Sequence, residues 1–290
     1  MPGTSPPVRV DYPATAGFLW GPGSPSADGS IAIGAPRVLT AIEQADDEQV
    51  VVAGLSEGTL VVDEVQRELA ADPEHAPDKS QLRFVKFGSP QVLALRLFPA
   101  GTRVPILGYT VQPFAESQYD TDMVFGEYDL WADPPDRLWN VVADANAILG
   151  TQYVHTESSQ AYKDTAVQIG EPVTNSKGGT TTTYVVPTKN LPLTQPLRDV
   201  GVPDKVVDEL DKGLRPVVDA GYKRNDAKTR AALNKALDKV LTKLAKPTKR
   251  TKLTKSPKLK LPKLTLPQRI TRPTTERAPV GAAWRAAAHR

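Results

Sequence analysis

A serine held between two glycines, Gly54-Leu55-Ser56-Glu57-Gly58, follows the apolar run Gln49-Val50-Val51-Val52-Ala53 and precedes an amphipathic stretch that begins at Leu60. In that setting a G-x-S-x-G puts the serine on a sharp strand-to-helix turn, where the glycines let strand and helix approach without a Cβ clash. The hydroxyl then stands at the carboxyl end of a sheet. The chemistry this permits is acyl transfer: Ser56 Oγ attacks a carbonyl carbon, and the backbone N–H of Glu57, at the positive end of the helix, faces the oxygen on which negative charge develops. Taken alone, the pentapeptide is also an ordinary tight turn that contains a serine. The strand before it and the helix after it favour the nucleophile.

A serine hydroxyl needs a base, normally a histidine oriented by a carboxylate, in the chain order Ser, Asp/Glu, His for this kind of sheet. The chain has three histidines. His75 sits in the polar stretch Asp72-Pro73-Glu74-His75-Ala76-Pro77 and His289 is one residue from the end, so both read as solvated side chains. His155 follows the apolar Tyr153-Val154 in a loop and is the candidate base. Among the acids, Asp129 comes straight after a strand and is preferred; Asp133, before Pro134, is the reserve, and Asp122 lies earlier. An aspartate before proline is also a common turn or cap residue. The chain has no cysteine, which excludes a thiol nucleophile, a disulfide framework and cysteine-ligated metal sites. No histidine pair has metal-ligand spacing, and the reaction calls for no metal or organic cofactor.

The elements that would position these residues alternate in period. Ile31 to Ala45 reads as a helix with Pro36 as an entry or kink, 49–53 as a buried strand, Leu60 to Ala71 as a helix, and Leu82 to Phe87 as a second buried strand. Val104 to Leu107 and Asp122 to Tyr128 read as strands, and Leu138 to Leu149 as a helix closed by Gly150. The polar stretch 156–180, with Gly178-Gly179 and the threonine run behind it, reads as a surface excursion or hairpin before a strand at Tyr184 to Pro187. Two short helices are expected at Asp204 to Leu210 and Leu214 to Ala220. Strands alternating with helices favour an α/β fold with a mostly parallel central sheet, here of the α/β-hydrolase type. Val8 to Tyr12 is a short strand-like piece in a proline-rich start.

Charge divides the chain. From Asp226 onward there are 18 Lys/Arg against 3 Asp/Glu, a net of +15, and the first 225 residues carry 18 against 30, a net of −12. The expected organisation is a folded domain over 1–225 and a basic Lys/Pro-rich tail over 226–290, with one amphipathic helix at Ala227 to Leu244 and then a low-complexity stretch too charged to pack a core. Such a tail suits an anionic polymer, an anionic lipid or an acidic protein surface. Without interleaved aromatics it does not suit base-specific reading of nucleic acid. The first thirty residues lack the apolar run of a secretory signal, and nothing approaches a transmembrane span.

Several of these segments carry a resemblance. Val-Asp-Tyr-Pro-Ala at 10–14, the G-x-S-x-G with its strand, Phe-Gly-Ser-Pro at 87–90, Glu-Tyr-Asp-Leu-Trp-Ala-Asp-Pro-Pro at 127–135, Asn146-Ala147 with Tyr153-Val154-His155, and Leu-Pro-Leu at 191–193 with Pro196-Leu197-Arg198 are similar to the PE-PPE domain of mycobacteria and their relatives, over about residues 8–225. The resemblance implies a serine hydrolase related to cutinases and lipases that acts on acyl esters or lipids, in the cell envelope or secreted. It implies Ser56 as nucleophile, His155 as base and an acid within Tyr128 to Asp133. It also places Thr4, in Pro2-Gly3-Thr4, beside the oxyanion site with Glu57, which stands where a glutamine is more usual. The family's longer N-terminal part is represented here by those three residues alone. That shortening and the basic tail motivate a second expectation, an inactive hydrolase fold serving as a binding or structural module of an actinobacterial envelope or a phage virion.

Overall fold

The computed structural model describes residues 6–45, 49–228 and Lys235. The fold belongs to a unit of residues 1–232; a second unit, 233–290, lies outside the described residues except for Lys235, and with it almost all of the expected amphipathic helix and the whole low-complexity stretch. The elements in chain order are α1 (Ala27–Glu43), β1 (Val50–Leu55), α2 (Glu57–Ala71), β2 (Leu82–Phe87), α3 (Gln91–Leu97), β3 (Arg103–Val104), β4 (Tyr109–Thr110), β5 (Thr121–Gly126), α4 (Val141–Tyr153), α5 (Ser158–Thr165), β6 (Val167–Gln168), β7 (Val173–Thr174), β8 (Thr180–Val186), α6 (Gln195–Asp199) and α7 (Asp204–Asp219).

The main sheet runs β1-β2-β5-β8-β6, with β7 also on β8. Its four long strands are parallel, and only the two-residue β6 and β7 run against them. This is the expected α/β fold with a mostly parallel sheet, consistent with an α/β hydrolase. In the registers Leu55↔Phe87 and Gly126↔Val186 the strand ends are level, and β5 runs two residues past the Phe87↔Val124 pair, so the chain leaves β1, β2 and β5 at one edge of the sheet. Parallel strands need both faces covered. On one face Val61, Val62 and Val65 of α2 meet Phe84 and Leu82, with Ala35 and Ile42 of α1 behind them. On β2, β5 and β8, Val85, Val124 and Val186 pack with Ala161 and Tyr162 of α5.

Local chemistry explains where the elements begin. Ser26 caps α1 by accepting the Gly29 N–H at 3.1 Å, which starts the helix four residues before its apolar periodicity does. Pro36 lies inside α1 rather than at its entry. Asn140 caps α4 through Ala143 N–H, so that helix spans 141–153 rather than 138–149.

Other expectations are corrected. Val8 to Tyr12 belongs to no strand. Val104 alone of 104–107 is in a strand, because Pro105 and Leu107 form the tight turn to β4. The polar stretch 156–180 contains the expected hairpin, β7 turning back antiparallel onto β8 through 175–179, but also holds α5, whose Tyr162 packs edge-on against Phe87 and Tyr184. The threonines 180–183 form half of β8: β-branched side chains suit a pleated surface, and polarity alone misreads them as a loop. Asp204 to Asp219 is one helix through Pro216, held by the buried stripe of Val207, Asp211 and Val218.

One buried ion pair ties α2 to the carboxyl-terminal end of β2: Lys86 Nζ lies 2.6 Å from Asp63 Oδ1, with side chains 3% and 2% exposed. The same Asp63 oxygen accepts the Ala115 N–H at 3.0 Å. Removing one partner leaves an uncompensated charge in the core. Lys86→Ala is expected to cost about 3–5 kcal/mol in urea unfolding, and the double variant Lys86→Met/Asp63→Leu clearly less. An equal loss in both would place the cost in packing instead.

Candidate active site

Three turns at the carboxyl edge of the sheet bring the site together. At the end of β1, Ser56 has φ +53° and ψ −122°, a conformation that L-residues rarely adopt and that costs about 1–3 kcal/mol. The turn is held by the Ser56 N–H donating to Phe87 carbonyl at 2.9 Å and by the Thr59 hydroxyl donating to Ser56 carbonyl at 2.7 Å. Gly54 is required here, because a Cβ on it would sit 2.4 Å from the Gly58 carbonyl oxygen. The strand therefore touches the first turn of the helix that follows it.

The end of β5 makes the second turn. Tyr128 has φ +71° and is fully buried, its backbone N–H donating to Asp133 Oδ2 at 2.8 Å and its hydroxyl to Asp219 at 2.6 Å. This conformation sets the next residue, Asp129, which is 0% exposed, toward the sheet edge. Gly150 in α4 presses on the same turn, since a Cβ there would meet the Tyr128 carbonyl oxygen at 2.0 Å. The third turn follows α4, where the His155 N–H donates to Gly150 carbonyl at 3.1 Å and leaves the ring 3% exposed.

The three side chains form one line. His155 Nδ1 lies 2.7 Å from Asp129 Oδ2, and His155 Nε2 lies 2.9 Å from Ser56 Oγ. Asp129 Oδ1 accepts the Trp131 N–H at 3.1 Å, so both carboxylate oxygens are engaged. With the proton on Nδ1 donated to the carboxylate, Nε2 is the acceptor of the serine proton. Glu57, the first residue of α2, has a backbone N–H that helix geometry leaves without an intrahelical partner, directly beside the Ser56 hydroxyl. Thr4 lies outside the described residues.

The other sequence candidates are placed elsewhere. Asp133 pairs with Arg224 and receives the Tyr128 N–H, so it braces the turn that presents Asp129 and does not reach the histidine. Asp122 is on β5, bound by Arg83 at 2.6 Å and the Tyr162 hydroxyl at 2.8 Å. His75 is exposed beside Asp72, and His289 lies outside the described residues.

One contributor is missed by side-chain chemistry because it has no side chain. Gly88, at φ +59°, lies against the imidazole: a Cβ on it would stand 2.9 Å from His155 Cε1 and 3.0 Å from Nδ1. Its sequence signal is the Phe-Gly-Ser-Pro that ends β2. A second pair quoted only as resemblance also meets, as the Leu193 N–H donates to Asn146 Oδ1 at 3.0 Å and ties the Leu-Pro-Leu segment to α4.

Glu57 turns its side chain inward. One carboxyl oxygen, Oε1, is buried without a hydrogen-bond partner. The carboxyl faces the Ser30 hydroxyl of α1 and the Thr15 backbone, and burial pushes it up to about 7 against the lowering effect of both. Nearby Tyr12 is also raised, by burial first and by Glu57 second.

Comparison with known proteins places the chain in a family. Residues 2–223 match the family described as the PE-PPE domain. Over 226 residues the chain is 48% identical to the uncharacterized PPE family protein PPE63 of Mycobacterium tuberculosis, covering 77% of this chain and 47% of that protein. It is 40% identical over 237 residues to the diacyltrehalose acyltransferase Chp2 of the same organism, covering 75% and 66%. It is 38% identical over 221 residues to the esterase PE16, also of Mycobacterium tuberculosis, covering 71% and 40%. The chain thus spans about half the length of the curated relatives it matches. No solved structure matches.

Proposed function

Because this chain belongs to the PE-PPE domain family, whose members include an esterase and acyltransferases, we propose that its folded body cleaves acyl esters through Ser56, with His155 as general base and Asp129 as the residue that orients it. The observation that carries this reading is the unbroken line from Asp129 through His155 to a half-buried Ser56 held at φ +53°.

In the first step His155 Nε2 takes the Ser56 proton as Oγ bonds to the ester carbonyl carbon, and the carbonyl electrons move onto its oxygen. The Glu57 N–H and the positive end of α2 stabilise that oxyanion. As it collapses, the ester C–O bond breaks, the imidazolium gives its proton to the departing alcohol, and the acyl group stays on Ser56. A second nucleophile, deprotonated by His155, then releases the acyl group. Water makes the protein a hydrolase; a sugar or lipid hydroxyl makes it an acyltransferase, the activity for which Chp2 is named, and we propose a trehalose-type polyol ester as the substrate class to test first. The basic segment from Asp226 onward is proposed to meet anionic lipid, an anionic polymer or an acidic protein surface.

The test is release of p-nitrophenol from esters of increasing chain length by the full chain, with and without added trehalose, followed by mass spectrometry of the products. Turnover with free acid as sole product supports a hydrolase, and acylated trehalose supports transfer. A folded protein inert toward every ester, which also fails to react with a fluorophosphonate, would instead be a binding module on this fold.

A further inference from the structure

We infer that the Glu57 side chain is an electrostatic gate on the oxyanion site: as a neutral acid it permits charge to develop beside its own backbone N–H, and as a carboxylate it opposes it. The inference rests on the acyl-transfer reading of Ser56. Its geometric basis is the place of Glu57, next in the chain to Ser56 and first in α2, with a side chain that folds back into the body instead of out to water.

The surroundings give that carboxyl no counter-charge. From the N-terminal segment it faces the Tyr12 phenol and the Thr15 backbone, and from α1 the Ser30 hydroxyl, itself fully buried and accepting the Thr15 N–H at 3.3 Å. Among the described residues no lysine, arginine or histidine forms an ion pair with Glu57. Tyr12, with its own proton held more tightly by burial, stays a neutral phenol and supplies no positive charge. The Asp28 carboxylate of α1 is occupied by Arg103 and Thr110. A buried oxygen with no hydrogen bond is tolerable on a neutral acid and costly on an anion. The acid form is therefore the one the fold accommodates, up to about pH 7.

Ionisation above that point puts a full negative charge within one side-chain length of the place where the substrate oxygen must also become negative. Two like charges in neighbouring positions of a partly screened site repel strongly enough to slow the chemical step on the order of tenfold or more. The pH profile of turnover is expected to fall on its alkaline side, and that fall is set by Glu57. The gate acts on kcat, because the charge conflict exists only in the transition state.

The experiment compares the full-length wild type with Glu57→Gln, whose amide keeps the shape and cannot ionise. p-Nitrophenyl ester turnover and fluorophosphonate labelling of Ser56 are followed from pH 5.5 to 9.5, and kcat and KM are resolved. The pH 9 to pH 6 ratio of kcat is expected to be at least about tenfold larger in Glu57→Gln, with KM following the same course in both. A separate readout needs no substrate. Because the carboxyl is raised in the folded state, the native protein holds the proton between about 4.5 and about 7 while the unfolded chain releases it, so wild-type stability falls as pH rises through that window and is level above it. Glu57→Gln loses that fall. Parallel pH profiles in active wild type and variant would overturn the gate while leaving the acyl-transfer reading intact. Absence of both turnover and labelling at every pH would sink that reading and the gate together.

Discussion

Ser56→Ala is expected to lower kcat for ester cleavage by about 10⁴-fold or more, with circular dichroism and melting temperature close to wild type. In the proposed mechanism the hydroxyl is the atom that forms the acyl-enzyme, and the neighbouring Ser89 hydroxyl, buried against Thr59 at 3.0 Å from its Oγ1, is not free to replace it. The turn itself survives the substitution, because its conformation is held by backbone bonds of Ser56 to Phe87 and Thr59 and not by the side chain. Alanine at φ +53° keeps the strain without adding to it. His155→Ala should fall by a similar factor, and the double variant little further, since base and nucleophile act as one unit. A residual rate near that of wild type in Ser56→Ala would remove the serine from the mechanism.

The second large effect separates two aspartates that lie four residues apart. Asp129→Asn is expected to lower kcat by about 10³–10⁴-fold with little change in fold, because an amide in place of Oδ2 can offer the imidazole a donor where it needs an acceptor and so favours the wrong tautomer. Asp133→Asn should instead act on stability. It removes the charge facing Arg224 and weakens the brace on the Tyr128 N–H, in a site 7% exposed, for about 2–4 kcal/mol in chemical denaturation. Its kcat below the unfolding transition should stay within about tenfold of wild type. If the two variants exchange signatures, the acid is Asp133 and the alignment through Asp129 is not the working one.

Much of this site was legible before any coordinates. The pentapeptide at 54–58 stands between a β-branched run and a helical period, and that change of period locates a strand-to-helix turn because side chains alternate every second residue in one element and every 3.6 in the other. The three histidines could be sorted by their neighbours, and Asp129 could be preferred over Asp133 because it follows the strand directly. Elements misread from the sequence fail for identifiable reasons. The threonines of β8 are polar yet β-branched, so hydropathy and strand preference point in opposite directions, and pairing with β5 decides between them. The stretch across Gly213 and Pro216 resembles two short helices until the core of Leu191, Tyr128 and Tyr222 gives one continuous face something to bury against.

What the sequence determined by itself is therefore local: the residue types, the order serine, aspartate, histidine along the chain, the turn signal around Ser56 and the division of the chain into an acidic body and a basic tail. What only the tertiary structure decided is distance and environment. His155 lies 99 residues from Ser56 and 26 from Asp129, and the three meet because the parallel strands end at one edge of the sheet. Gly88 and Gly150 matter through atoms they lack, a property visible only against the imidazole and the Tyr128 carbonyl they approach. Glu57 became a buried acid through segments that precede it by 27 and more residues, and burial is a property of the folded neighbourhood. Spacing along a chain carries local geometry, whereas the solvation that sets a proton's affinity depends on everything packed around it.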